Sequence, residues 1–220
     1  MSTLTRSVML GTMNTSSDLP KWTVNSSKYL VNDKFMKLRV DSCTTPQGGT
    51  VDTYYVIEYG DWVNCLAIDT DGNVAMLKHY RHGVRAYLSE LVGGGIETTD
   101  ASPEAAAQRE LEEETGYTGG TLYNVGVGYP NPASQTNKVY SFLAVGGNID
   151  REQNLEEGET ILVEKISFQT LLEQMRTPGA MYPSMYIATM FYVINFIRMS
   201  SDPALQHLKK FISFSENIPT

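Results

Sequence analysis

The feature that most constrains this chain is one sharply bounded helical segment set among strands. Ser102 is a good N-cap, Pro103 suits the first helical position, and Glu104 complements the positive end of a helix. Helix formers then run unbroken from Ala105 to Glu114, and Gly116 offers a left-handed stop. The spacing predicts a helix of about 13 residues, roughly 20 Å long. Strand-like segments lie before it at 35–40, 51–59, 62–69 and 74–80, with turn signals at 45–49 and at Asp71-Gly72. More follow at 121–128, 138–145 and 160–166, and helical segments near 168–176, 183–199 and 203–214 close the chain. Strands around one central helix, with helices at the end, predict a mixed α/β layered domain. The organisation expected is an arm over 1–26, an antiparallel β subdomain over 27–60 and a main domain with C-terminal helices over 61–220.

Composition excludes several function classes. The 220 residues are 41% hydrophobic and 19% charged, as in an ordinary globular protein. A formal net charge of −8 argues against general binding to a phosphate backbone. It leaves room for a small anionic substrate, because a bound cation or a few arginines reverse the local field. Cys43 and Cys65 are the only cysteines, without zinc spacing, and read as buried thiols of a reducing, cytoplasmic setting. The N-terminal Ser/Thr-rich stretch lacks the apolar run of an export signal. The apolar segment Met185 to Ile197 falls short of the roughly 20 residues needed to span a bilayer, so a buried or dimer-packing helix is expected and no membrane role.

The predicted helix ends in Glu110, Glu112, Glu113 and Glu114. Helical spacing puts 110, 113 and 114 on one face. A run of glutamates is most often a solvated surface. Here, however, the acids sit at the negative end of the helix dipole, where each costs about 0.3–1 kcal/mol. Glu110 and Glu114 add like-charge i,i+4 repulsion. A hard cation such as magnesium or manganese turns both penalties into attraction. On chemistry alone, a cation site and a solvated face both stand.

The local order separates them. Gly94-Gly95-Ile96-Glu97, followed by Arg109-Glu110-Leu111-Glu112-Glu113-Glu114-Thr115-Gly116-Tyr117, resembles the Nudix box. The half of the box reading Arg-Glu-apolar-any-Glu-Glu-any-Gly-apolar is matched throughout, with Tyr117 as the apolar residue. The earlier half departs. Counting back from Arg109 puts Ala101 where the box has Glu, whereas counting forward from Gly94 puts Asp100 there, with one residue inserted. The resemblance implies a Nudix α/β/α sandwich, a divalent cation (Mg2+ or Mn2+) and hydrolysis of a diphosphate. It makes Glu110 and Glu114 the principal metal ligands, with Glu113 sharing and the Gly93 carbonyl completing the shell. Arg109 then orients the glutamates, and Asp100 substitutes for the missing acid.

The flanks resemble the ADP-ribose pyrophosphatase branch of that family. His79-Tyr80-Arg81-His82, Ser89-Glu90-Leu91-Val92-Gly93-Gly94 and Tyr129-Pro130-Asn131-Pro132 carry the likeness. It implies a phosphate contact from Arg81 and a supporting role for Glu90. It also implies adenine stacking by Trp22 or Tyr29 from the N-terminal subdomain, and a homodimer. The general base would come from the loop Leu155-Glu156-Glu157-Gly158-Glu159, with Glu159 first and Glu157 in reserve. ADP-ribose is the leading substrate. NDP-sugars, NADH and dinucleoside polyphosphates are the alternatives, as is a Nudix module that binds a nucleotide without cleaving it. His79, His82 and His207 are expected to be structural or solvent-facing.

Overall fold

The computed structural model describes residues 19–155, 158 and 160–212. The chain divides into two compact units, Met1–Val56 and Ile57–Thr220. The smaller carries a three-stranded sheet of β1 (Thr23–Asn32), β2 (Lys37–Thr44) and β3 (Thr50–Glu58), in that order, with β3 running on into the larger unit's first residues. The turn predicted between β2 and β3 closes through Thr45 N–H to the Gly49 carbonyl at 2.8 Å, with Gly48 at φ 83°. Strand β1 takes in residues 23–26, which sequence alone assigns to the arm. Its ten residues are all exposed, so no alternation of apolar and polar residues marks it.

The larger unit is built on a seven-stranded sheet in the order β10-β5-β4-β9-β8. These are β4 (Trp62–Asp69), β5 (Asn73–Arg81), β8 (Tyr117–Gly128), β9 (Val139–Ile149) and β10 (Ile161–Ser167). The short strands β6 (Ala86–Glu90) and β7 (Val92–Gly95) pair with β5 and β4. Strand β4 runs parallel to β9 and antiparallel to β5 and β7. The predicted Asp-Gly turn joins β4 to β5: Asp69 accepts from the Asp71 and Asn73 N–H groups at 3.0 and 2.8 Å, and Gly72 takes φ 82°.

Alternation along the central strand sorts the core into two layers. Val63, Cys65 and Ala67 face one side, with Ala106, Ala107 and Leu111 of helix α1 (Pro103–Thr115). Leu66 and Ile68 face the other, with α2 (Phe168–Arg176), α3 (Ser184–Met199) and the final segments. The small Ala106–Ala107 pair lets α1 lie close on the sheet. The predicted helix over 203–214 divides into a 3-10 turn, Pro203–Leu208, capped by Asp202, and a short α4, Lys209–Ile212. The result is the expected α/β/α sandwich. Cys43 and Cys65 are both free and buried. Among the described residues no helix is long and apolar enough to cross a membrane.

Candidate active site

Helix α1 has the caps its sequence predicts. The Ser102 hydroxyl accepts from the Ala105 N–H at 3.2 Å, and Gly116 takes φ 69° while its N–H bonds back to the Glu112 carbonyl at 2.9 Å. These caps fix the helix in register, and so fix which way the glutamates point. Glu110 and Glu114, one turn apart, are both buried against the sheet, whereas Glu112 is exposed. Glu113, on the same face by spacing, is the more open of the three: its side chain is 34% exposed.

Strand β7 receives the two buried carboxylates. Gly93 N–H donates to Glu114 Oε2 at 2.9 Å. A Cβ placed on Gly94 would overlap Glu110 Oε1, so that carboxylate lies directly on the backbone. Gly93 is equally constrained from another direction, since a Cβ there would overlap the Val63 carbonyl and press on the Asn64 side chain. Two adjacent glycines therefore let a helix end and a strand approach closely enough to bring two carboxylates onto one short stretch of backbone.

Arg109 holds the cluster together. Its Nη1 donates at 2.9 Å to both Glu110 Oε1 and Glu113 Oε2, and its Nη2 reaches the Gly95 carbonyl at 3.0 Å. The other edge of the fork meets Asp100, with Nε to Oδ1 at 3.2 Å and Nη2 to Oδ2 at 3.1 Å. Asp100 also accepts from the Glu97 N–H at 2.8 Å. The Arg109 guanidinium holds the Asp100 carboxyl below the usual carboxylate range. Ala101, the residue at the strict box position, is exposed. The inserted residue in the loop thus brings Asp100 to the box arginine.

Next to this cluster Arg81 and Glu90, treated separately in the sequence, grip each other. Arg81 Nε lies 3.0 and 3.1 Å from the two Glu90 oxygens and Nη2 lies 2.7 Å from Oε2. Glu90 is 2% exposed. His79 Nδ1 stands 3.9 Å from the same Oε2, and the Tyr186 hydroxyl 3.3 Å away. Burial lowers the proton affinity of Arg81, but the Glu90 carboxylate more than offsets this and holds the guanidinium charged.

Among the described residues no His, Cys, Asp and Glu side chains form a ready-made metal cage. The glutamate oxygens are engaged by Arg109 and the Gly93 N–H instead. The all-oxygen donor set suits a hard cation that keeps much of its water and takes one or two carboxylates. Trp22 and Tyr29 belong to the smaller unit. Trp22 is 48% exposed and meets the Tyr54 ring edge-on at 5.9 Å, while Tyr29 is 44% exposed and opposite Arg39. Glu157 and Glu159 lie outside the described residues. Gly94, the leading glycine of the box, serves here as the backbone under Glu110, whereas Tyr186 was not singled out from sequence. Tyr186 lies 96 residues from Glu90 and carried no signal.

Residues 59–184 match the NUDIX domain family, and residues 22–57 match the nucleoside diphosphate sugar hydrolase N-terminal domain. The chain is 26% identical to an ADP-ribose pyrophosphatase of Bacillus subtilis over 185 residues, covering 84% of this chain and 95% of that one. Over 46 residues, 21% of each chain, it is 52% identical to the ADP-sugar pyrophosphatase of Mus musculus. A crystal structure of an ADP compounds hydrolase superposes with a TM-score of 0.71 over 83% of this chain and 97% of that one, at 16% identity, which speaks to the fold. Nudix hydrolases generally use divalent metal ions. The box glutamates gathered on Gly93 and Gly94, and the match over residues 59–184, place this chain in the Nudix hydrolase family.

Proposed function

We propose that this Nudix hydrolase cleaves ADP-ribose to AMP and ribose 5-phosphate with Mg2+ or Mn2+, in the cytoplasm and as a homodimer. The observation that carries the reading is the pair of buried carboxylates, Glu110 and Glu114, set on the Gly93–Gly94 backbone and braced by Arg109. The extent of the likeness to the B. subtilis enzyme supports the substrate. In this reading Glu110 and Glu114 hold the cation, with Glu113 and the Gly93 carbonyl completing the set. Bound there, the cation neutralises diphosphate charge and lowers the pKa of a water.

Arg81 offers its fork to a substrate phosphate, with its orientation set by Glu90. Glu159, with Glu157 in reserve, removes a proton from the attacking water. The water oxygen bonds to one phosphorus as the bridging phosphorus–oxygen bond breaks, and the displaced phosphate leaves on the other product. Trp22 or Tyr29 stacks on the adenine. Arg109 and Asp100 keep the glutamates in place.

A second reading, hydrolysis of NDP-sugars, is favoured by the match of residues 22–57 to the nucleoside diphosphate sugar hydrolase N-terminal domain and by the likeness to the mouse enzyme. Chromatographic product analysis with ADP-ribose, ADP-glucose and UDP-glucose, each with Mg2+ or Mn2+, tests both. AMP released fastest from ADP-ribose is the expected result. Faster cleavage of either sugar nucleotide would replace the first reading by the second.

A further inference from the structure

Helix α3 reaches the candidate site from the far layer of the sandwich through one side chain. Tyr186, in its first turn, is 4% exposed, and its ring is part of the core between the sheet and the C-terminal helices. Its hydroxyl lies 3.3 Å from Glu90 Oε2, the oxygen that also takes Arg81 Nη2 at 2.7 Å.

The proton inventory fixes the direction of these bonds. A guanidinium only donates, an ionised carboxylate only accepts, and a phenol has one proton to give. Arg81 therefore donates to Glu90, and the Tyr186 hydroxyl spends its proton on the same carboxylate. Burial, reinforced by the Glu90 charge, pushes the Tyr186 phenol up, which keeps that proton in place.

The helix that carries Tyr186 is itself held by polar groups one turn on. The Thr189 hydroxyl donates to the Met185 carbonyl at 3.0 Å, which leaves it to accept from the Ser141 hydroxyl at 2.9 Å. Ser141 on β9, Asn64 on β4 and Gly93 on β7 stand side by side in register. The row that anchors α3 is thus the row that carries the Gly93 backbone under Glu114.

We propose that Tyr186 is a positioning residue that clamps the Glu90 carboxylate and thereby sets the Arg81 fork for a diphosphate substrate. This rests on the reading of Arg81 as the phosphate contact. Two oxygens of Glu90 alone allow the pair to swing together, whereas a third group bonded to Oε2 fixes its plane. Orientation of this kind acts on binding of the anion, before any bond is broken.

Tyr186→Phe removes the hydroxyl and leaves the ring packing. The test is calorimetric titration with ADP-ribose in metal-free buffer, together with steady-state kinetics with Mg2+ and thermal melting. The expected result is a Kd and KM each raised roughly tenfold, the loss of one hydrogen bond to a charged group, with kcat unchanged and melting shifted by no more than a few degrees. Glu90→Gln removes the charge that orients the fork and should raise Kd at least as much, and adding Tyr186→Phe to it should cost nothing further. An unchanged Kd in Tyr186→Phe, or losses that add in the double variant, would overturn the positioning role while leaving the enzyme's reaction intact. A wild-type chain that neither binds nor cleaves ADP-ribose would overturn the functional reading instead.

Discussion

At the scale of single residues, the adjacent glycines of β7 make opposite predictions. Gly94→Ala puts a methyl group into the Glu110 carboxylate, which sits at the free end of a flexible side chain and can swing away. The fold should survive with little change in melting temperature while hydrolysis falls by two orders of magnitude or so, as loss of a well-placed ligand would cause. Gly93→Ala meets the rigid Val63 carbonyl instead, and chemical denaturation should show a loss of about 1–3 kcal/mol. Equal effects of the two on stability would contradict this division. The Asp100–Arg109 pair predicts a pH dependence. Since Arg109 lowers the Asp100 pKa in the fold, the pair's contribution is present above the unfolded value of about 3.9 and is lost as pH falls through the folded value. Asp100→Asn should therefore melt lower than wild type at neutral pH, with the gap closing in acid. A gap that persists unchanged below that range would rule out the ion pair as its source. The sequence showed which acid could replace the box glutamate, because only Asp100 lies one inserted residue away. It could not show that Arg81 and Glu90 bind each other, which depends on the register of β5 against β6.

At the scale of elements, α1 was legible to its ends because its signals are local: Ser102 and Pro103 start it and Gly116 stops it. Gly116→Ala should test the stop, since the residue has φ 69° and a Cβ there would overlap the Arg151 carbonyl. Strain plus overlap should destabilise the fold by more than the roughly 1 kcal/mol of an ordinary cap loss, read from the denaturation midpoint. A change smaller than that would mean the loop after α1 gives way freely. Strands β4 and β5 were equally legible as the two segments flanking the Asp-Gly turn. Strands β1, β6 and β7 were not. β7 is Val-Gly-Gly-Gly, a poor strand former, and is a strand only because β4 offers it Trp62 to Cys65 as partners. The 3-10 turn at Pro203–Leu208 was hidden for a similar reason, since a helical pattern does not distinguish tight from regular winding.

At the scale of the whole molecule, the sheet separates two tasks. The α1 layer presents the carboxylates, and the α3 layer supplies most of the large buried side chains and sends Tyr186 back to Glu90. Met190→Ala, at a position 2% exposed in the α3 layer, should cost about 2–5 kcal/mol without touching the glutamates. Folded protein at low temperature should then retain its turnover, and a loss of activity far beyond the loss of folded protein would show the layers to be less separate than this. The central claim is that Glu110 and Glu114 hold the cation for diphosphate hydrolysis, and wild type against Glu114→Gln tests it most directly. With ADP-ribose and Mg2+ or Mn2+, wild type should release AMP only when the metal is present, and Glu114→Gln should release almost none while melting close to wild type. Metal-dependent AMP release that survives Glu114→Gln at the wild-type rate would contradict the account.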